Sequence, residues 1–455
     1  MTAPIAQSDL LLKLLQKLDE PLARYSLLDQ YYIGTQPLAF LSPESKTALG
    51  NRFGRMASNI PRLSVTALAE RLTVTGFSDE ALWSDWLRCD MDQLSGVAHR
   101  EALLLGDSYV IVWADAAGRP SVTVESAKQI AVQRDPGTRE IVAAVKRWET
   151  ETTTEAVLYL PDAITRYRAN HVGAALGFET VQVIPNPLGV VPIVELRNSD
   201  RIISDYGSSE IDDLMPLVDG LNKSLVDMMT TSEYVGRPRR WATGIELEER
   251  PVIDSDGNPV LDDDDNPVME TVNPIPEGNR AMIAEGENAK FGQLAAADLS
   301  GYENSVKVLL GQIMAVSALP AHYVGIFTDN PASADAMRAA EASLTARAED
   351  RQRTFGRAWE RVAKLMVAVR DGTPPALVDN IAVQWADAST RSIAQEADAV
   401  VKMFQAGLLP REFALKKLGY TDDDIEEIVV LSMLERDAKA ASSPPIAPTP
   451  GGISA

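Results

Sequence analysis

Gly220-Leu221-Asn222-Lys223-Ser224 ends in the lysine and hydroxyl with which a phosphate-binding loop holds a nucleotide. Asn222 stands where that loop needs a glycine directly before the lysine, and the segment reads as helix rather than a strand-to-helix turn, so it is not such a loop. Asp262 to Asp265 offer carboxylates for a divalent cation, but the calcium-loop spacing with its glycine and terminal glutamate is absent. They read instead as a solvated acidic loop. His99, His171 and His322 lie far apart and show no zinc spacing. The single cysteine, Cys89, reads as a small buried apolar residue on a helix. It leaves no intrachain disulfide, which suits folding in the reducing interior of a cell. There is no Gly-x-Ser-x-Gly elbow, His-Glu-x-x-His helix or dinucleotide fingerprint. Neither catalysis, nor a cofactor, nor a metal is expected.

The charges are arranged for contact rather than chemistry. Arg237, Arg239 and Arg240, around Pro238 and before Trp241, form the densest basic patch outside helices. Residues 245–270, which follow, hold ten carboxylates against the single Arg250. The basic patch therefore reads as an intersubunit partner of this acidic stretch before it reads as a DNA contact. The acidic stretch itself reads as a β hairpin turning at Asp254, Asp256, Gly257 and Asn258, with a second loop from Asp262 and Asp263 to Asn266. Along 338–364 arginines alternate with Glu341, Glu349, Asp350 and Glu360, the mark of a solvated or intersubunit helix face.

Over the whole chain Lys and Arg number 43 and Asp and Glu 65, a net charge of −22. Tight nucleic-acid binding through phosphate neutralisation needs a concentrated basic surface, so it is not expected. An acidic wall does suit a conduit, because like charge keeps a duplex from sticking. The 455 residues, 45% hydrophobic and 24% charged, are ordinary globular composition and enough for about two to four domains. No run of apolar residues is long enough to span a bilayer, and Lys13 and Lys17 interrupt the N-terminal leucines, so a soluble, unexported chain is expected.

The elements that must hold these charges alternate between helix and strand. Residues 8–33 carry Leu11, Leu14, Leu15 and Leu18 at helical spacing and close at Gly34. A second helix runs through Val65 and Leu72 to a break at Gly76, and a third over 79–105. From 108 to 197 short β runs follow, at 109–113, 121–125, 130–134, 141–148, 157–160, 181–184 and 190–196, with turns at Asp135-Pro136-Gly137 and Ala117 to Pro120. Helix returns from 208, where Pro216 must kink it or sit in its first turn. It returns again over 298–317, and a loop without secondary structure leads to a long helix over 331–370, capped by Asn330 and Pro331. Three shorter helices follow, the last capped by Thr421 with Asp424, and a Pro-rich tail that cannot pack closes the chain. No internal repeat is expected. The fold class is α+β.

Several strings resemble, in order, the portal proteins of siphophage-type bacteriophages. They are Tyr31-Tyr32-Ile33-Gly34 with Ala69 to Phe77, Gly106-Asp107-Ser108-Tyr109-Val110, Val191 to Leu196 followed by Gly207-Ser208-Ser209-Glu210-Ile211, and Asn330-Pro331-Ala332-Ser333-Ala334-Asp335. The resemblance covers residues 20–435, with Thr66 standing where an acidic residue is expected. It implies a portal fold: a mixed α/β wing (1–205, completed by 331–390), a two-helix stem (206–235 and 298–318), a β-containing clip (236–297), a tunnel loop (319–332), a helical crown (391–440) and a disordered tail (441–455). It implies a ring of twelve at one capsid vertex, through which double-stranded DNA is packaged and ejected, assembled in the host cytoplasm and carried in the virion. The partners implied are other copies of the chain, DNA, terminase, the major capsid and scaffold proteins and a head-tail adaptor, with no membrane. Tyr323, Thr328, Asp329 and Asn330 would face the DNA channel. Arg237, Arg239, Arg240, Asp254, Asp256, Asp262 and Asp263 would form the clip interface. Twelve stem helices spaced about 9 Å apart make a circle of roughly 34 Å through their axes, leaving a bore near ~24 Å for a duplex ~20 Å wide.

Two readings compete with this one. A metal-dependent DNA-processing enzyme needs paired-carboxylate or phosphate-binding motifs, which the chain lacks. A structural head-completion adaptor does not need two amphipathic helices flanking an acidic hairpin.

Overall fold

The computed structural model describes residues 7–40, 56–199, 201–202, 205–236, 240–244, 249–254, 257–262, 266–271, 288–293, 299–326, 334–389 and 393–442 of the chain. They fall into two compact units, 1–388 and 389–455. The helix expected over 8–33 is two, α1 (Gln7–Asp19) and α2 (Leu22–Ile33). Pro21 is the cause, since its ring disfavours the helical conformation of the residue before it. α2 then closes on Gly34 at φ 80°, whose amide reaches the Gln30 carbonyl.

α3 (Ile60–Ala69) leads into β1 (Val74–Phe77), where Gly76 lies at an irregular step inside the strand instead of ending an element. The helix expected over 79–105 is also two, α4 (Glu80–Arg88) and α5 (Met91–Leu105). Asp79 caps α4 by accepting the Ala81 amide at 3.0 Å. Asp90 turns the chain between them at φ 54°, a left-handed conformation that Asp tolerates better than most residues.

The β region comprises β2 (Asp107–Ala114), β3 (Pro120–Ser126), β4 (Ile130–Arg134), β5 (Ile141–Glu149), β6 (Thr154–Tyr159), β7 (Ala163–Ala169), β8 (Glu179–Pro185) and β9 (Ile193–Arg197). They form two antiparallel sheets, ordered β3-β2-β9 and β4-β5-β6-β7-β8. β7 has no counterpart in the sequence reading, because Arg166 and Arg168 mask its half-buried pattern. α1 presses Leu11, Leu14, Leu15 and Leu18 onto Ala131, Val145, Leu158 and Tyr167 of the larger sheet. Each such leucine contributes roughly 1.5–3 kcal/mol on burial, which is what fixes α1.

α6 (Met215–Gly236) begins later than position 208, with Pro216 in its first turn and Ile211 and Leu214 buried in the turns before it. Its partner, introduced after the intervening β segment, runs antiparallel to it. That segment pairs β10 (Arg240–Thr243) with β13 (Lys290–Gln293), and β11 (Glu249–Pro251) with β12 (Met269–Thr271). α7 (Ser300–Ser317) then returns so that Leu309 lies against Gly220 and the Tyr302 hydroxyl meets that of Thr231 at 3.2 Å.

After α7 the stretch expected to lack secondary structure holds a 3-10 turn, Ala321–Val324, closed by Gly325 at φ 77°. α8 (Ala334–Asp371) buries Leu344, Ala348, Phe355, Trp359, Val362 and Met366 in the main core, while Met337 from the expected stripe is exposed. β14 (Val383–Trp385) pairs with β1. The second unit holds α9 (Ile393–Gln405), α10 (Arg411–Lys417) and α11 (Asp422–Ser442), the last with the expected cap: Asp424 accepts from the Thr421 amide and hydroxyl.

The chain does contain an internal repeat. Pro251-Val252-Ile253-Asp254, Pro259-Val260-Leu261-Asp262 and Pro267-Val268-Met269-Glu270 recur in step. The first two units fold alike. The amides of Asp254 and Asp262 donate to the carbonyls of Asn258 and Asn266 at 2.8 Å, and each aspartate carboxylate accepts its asparagine's amide at 2.9 Å. The expected single hairpin with a second loop is thus a pair of duplicate turns.

Candidate functional site

Two glycine-led strings that lie far apart in sequence meet in space. The Gly207 amide donates to the Asp107 carboxylate at 2.7 Å, and the Asn198 amide to the Gly106 carbonyl at 2.8 Å. Gly106, at φ 98°, and Gly207 cross so closely that neither has room for a side chain. Asp107 is buried, and burial pushes its carboxyl above the usual range against the Gly207 amide and the Arg197, Arg134 and Arg24 guanidiniums. The turn beyond Gly207 carries Glu210, whose amide reaches the Leu103 carbonyl at 2.9 Å.

Glu210 is the hub of this junction. Its carboxylate accepts from Arg351 Nη2 at 3.0 Å and Nε at 3.2 Å, from Arg347 Nη1 at 3.4 Å and from Asn198 Nδ2 at 3.1 Å. Arg347 also donates to the last carbonyls of α7, Val316 at 3.0 Å and Ser317 at 3.3 Å. Those carbonyls have no partner within their own helix, and a cation complements the negative end of its dipole. The end of α7, the long α8 and the sheet region are thereby joined through one buried carboxylate. The arginines of α8, expected on a solvated or intersubunit face, are divided: Arg351 is buried here and Arg353 and Arg357 are exposed.

The segment after α7 is held at its root. Arg71, buried at the end of α3, donates to Glu341 Oε2 at 3.1 Å, to the Tyr323 hydroxyl at 3.2 Å and to the Ala67 carbonyl at 3.0 Å. Its guanidinium lies 5.9 Å from the Tyr323 ring centre, and His322 Nε2 lies 3.4 Å from Glu341 Oε1. Tyr323, expected to face the DNA channel, is tied by its hydroxyl to this ionic cluster and packs against the main core. Thr328, Asp329 and Asn330 lie outside the described residues. His99 also serves packing: it is fully buried, its Nε2 accepts from Trp359 at 2.8 Å, and burial pushes its pKa down to about 3, so it stays neutral.

Of the expected clip residues, Asp254 and Asp262 take equivalent places at the head of the duplicate turns, and Arg240 opens β10 opposite Gln293. Arg237, Arg239, Asp256 and Asp263 lie outside the described residues. Among the described residues no group of three or more His, Cys, Asp or Glu is arranged to hold a metal ion, and no helix is long and apolar enough to cross a membrane. The junction hub Glu210 and the root residues Arg71 and Glu341 were not singled out as site residues from sequence. A buried ion pair between distant segments leaves no local pattern by which to find it.

A family model described as phage portal protein, SPP1 Gp6-like, matches residues 15–439. The portal proteins of Mycobacterium phage L5 and Mycobacterium phage D29 are each 30% identical over 394 residues, covering 81% of this chain and 77% of theirs. Among solved structures, a chain in the neck of an empty gene transfer agent particle aligns at 15% identity over 85% of this chain and 96% of that one, with a TM-score of 0.47.

Proposed function

This chain belongs to the phage portal protein family of the SPP1 Gp6-like type, and from that premise we propose that twelve copies close into a ring at one vertex of the phage head, the channel through which double-stranded DNA enters and leaves. The observation that carries the reading is the pair α6 and α7. They pack on each other and on the core, yet leave Met229, Val308 and Val316 exposed, Val308 at 65%. A head-to-tail contact repeated around a circle would cover these residues in every copy. The terminase and then the head-tail adaptor dock on residues 236–297, while capsid and scaffold proteins surround the ring, which is assembled in the host cytoplasm.

Electron microscopy of the purified protein in negative stain tests this most directly, and rings with a central hole are expected. Monomers or dimers by light scattering at every salt concentration tried would sink the reading.

Within the ring, the loop 319–332 would be the narrow part of the channel, with Thr328, Asp329 and Asn330, which lie outside the described residues, touching the duplex. Tyr323 marks the inner end of that loop, where Arg71 holds it. Replacing Thr328 and Asn330 with lysine places a ring of added cations against the phosphates. Packaging should slow in these variants, and slow most at low salt, because phosphate contacts weaken steeply as salt rises. An unchanged packaging rate at low salt would remove this loop from the DNA path.

A further inference from the structure

The chain carries a net charge of −22, yet the charged side chains that line one of its recesses are mostly cations. This recess encloses about 1090 Å³ between α1, the turn from β4 to β5 and the segment that follows β9. Lys13 and Lys17, one turn apart on α1, line one side. Arg134 and Arg197, the last residues of β4 and β9, line another. Arg139 lines it from the turn, held in the left-handed region at φ 61° by its amide's bond to the Asp135 carbonyl at 2.8 Å. Two of the three carboxylates present are already engaged: Glu20 accepts the Tyr206 hydroxyl at 2.9 Å, and Asp135 accepts the amides of Gly137 at 2.9 Å and Thr138 at 2.8 Å. The third, Asp205, is exposed.

The two arginines are seated on buried carboxylates. Arg134 donates to Glu195, whose side chain is 6% exposed, and Arg197 Nε lies 3.8 Å from Asp107, at 1%. Glu195 is fixed in turn by the Tyr109 hydroxyl at 3.2 Å, and Asp107 by the Gly207 amide. A guanidinium carries five donors in a planar fork and a carboxylate engages two of them at most, so an arginine seated on one can present a second edge to an anion. Burial and the nearby Arg197 together push the Arg134 guanidinium below its ordinary value, a cost that an anion beside both would offset. Gln133 lines the same recess, and among the described residues its side-chain oxygen is buried without a hydrogen-bond partner. A half-turn exchanges the ends of such an amide, so this group can offer donors to the recess.

We propose that this recess binds a small molecule carrying two or more phosphate groups. Phosphate oxygens match the guanidinium fork and accept from several donors at once. One phosphate engages Arg134 and Arg197, and a second reaches the lysines of α1. A recess of this size holds a molecule no larger than a nucleotide. It excludes the body of a DNA duplex, whose phosphates lie on a broad convex surface. Binding ties α1 to the sheets and to the segment that leads into α6, so the subunit is stabilised as the site fills. The site goes beyond the ring reading and does not depend on it, since every lining residue belongs to one copy.

Isothermal titration calorimetry of the full-length protein with inorganic pyrophosphate, in buffer free of magnesium and phosphate, tests the proposal. Saturable binding of one pyrophosphate per chain is expected, weakening as sodium chloride is raised. Arg134→Lys keeps the charge and loses the fork, and it should weaken binding on the order of tenfold. Because Arg134 also holds Glu195, a second variant stays clear of the interior. Lys13→Gln with Arg139→Gln, both exposed, should leave the thermal midpoint of the unliganded protein unchanged and weaken binding roughly fivefold. A nucleoside triphosphate titrated in parallel distinguishes the sources: tighter binding than pyrophosphate marks a nucleotide site, and equal or weaker binding an inorganic polyphosphate site. Absence of saturable binding to the wild type overturns the proposal, as does undiminished binding by the Lys13→Gln, Arg139→Gln variant. Displacement of pyrophosphate by a short DNA duplex at equal phosphate concentration overturns it too, because the surface would then be a nucleic-acid contact.

Discussion

Replacing Glu341 with alanine is expected to destabilise the subunit by roughly 3–5 kcal/mol, because it leaves the Arg71 guanidinium buried without its carboxylate. Arg71 and Glu341 are among the least exposed charged side chains, and the pair draws the end of α3, the Ala321–Val324 turn and α8 to one point. Arg71→Ala should cost about as much, for the mirror reason. Replacing both at once, Arg71→Met with Glu341→Leu, should recover much of the loss, since apolar packing of similar volume often does as well as a buried ion pair. Chemical denaturation of the wild type, the two alanine variants and the double variant Arg71→Ala with Glu341→Ala forms a double-mutant cycle, and a coupling below about 0.5 kcal/mol would show that the pair does not hold the turn. Amide exchange adds a local measure. In either single variant, exchange should quicken at 321–326, where Tyr323 loses Arg71 itself or the carboxylate that holds Arg71 in place, before it quickens in the sheets.

An effect of similar size is expected where the two backbones cross. A β carbon added at Gly106 would lie 2.5 Å from the Gly207 carbonyl carbon and oxygen, and Gly106 itself holds φ at 98°. The obstacle is backbone, so it cannot swing aside as a side chain would. Gly106→Ala and Gly207→Ala should each cost on the order of 4 kcal/mol or more, the range reached by severe overpacking joined to strain. The hydrogen bond that the Gly207 amide donates to the buried Asp107 carboxylate would be lost with the displacement. Gly118→Ala supplies the comparison. It too has positive φ, at 78°, but nothing lies within 4 Å of an added β carbon, so only the left-handed conformation resists, at about 1–2 kcal/mol. Thermal and denaturant midpoints of the three variants decide the matter, and similar losses at 106, 207 and 118 would mean that the crossing is not tight.

The elements themselves were largely readable, because each rests on local chemistry. The stripe of Leu11, Leu14, Leu15 and Leu18 announces α1, and Asp135-Pro136-Gly137 announces the turn between β4 and β5. The misses have equally local causes. Pro21 stands in the sequence and divides the first helix, but a leucine periodicity running past it outweighed it. Asp90 gives no comparable signal, since a single left-handed Asp is chosen by the packing of α4 and α5 around it. The repeat at 251–270 was in plain view, yet its excess of carboxylates drew it into a single acidic hairpin.

Family membership followed from the order of short strings along the chain, and the α+β class and the two helices that flank a β-containing segment from local periodicity, since order and periodicity are properties of sequence. Which distant residues meet did not. Gly106 and Gly207 were both noticed, but only folding shows that they touch, and nothing in the neighbourhood of Arg71 foretells Glu341 or Tyr323. Local propensity depends on a few adjoining residues and can be read from them. A buried ion pair or a backbone crossing exists only when desolvation and close packing of whole elements have brought its two halves together.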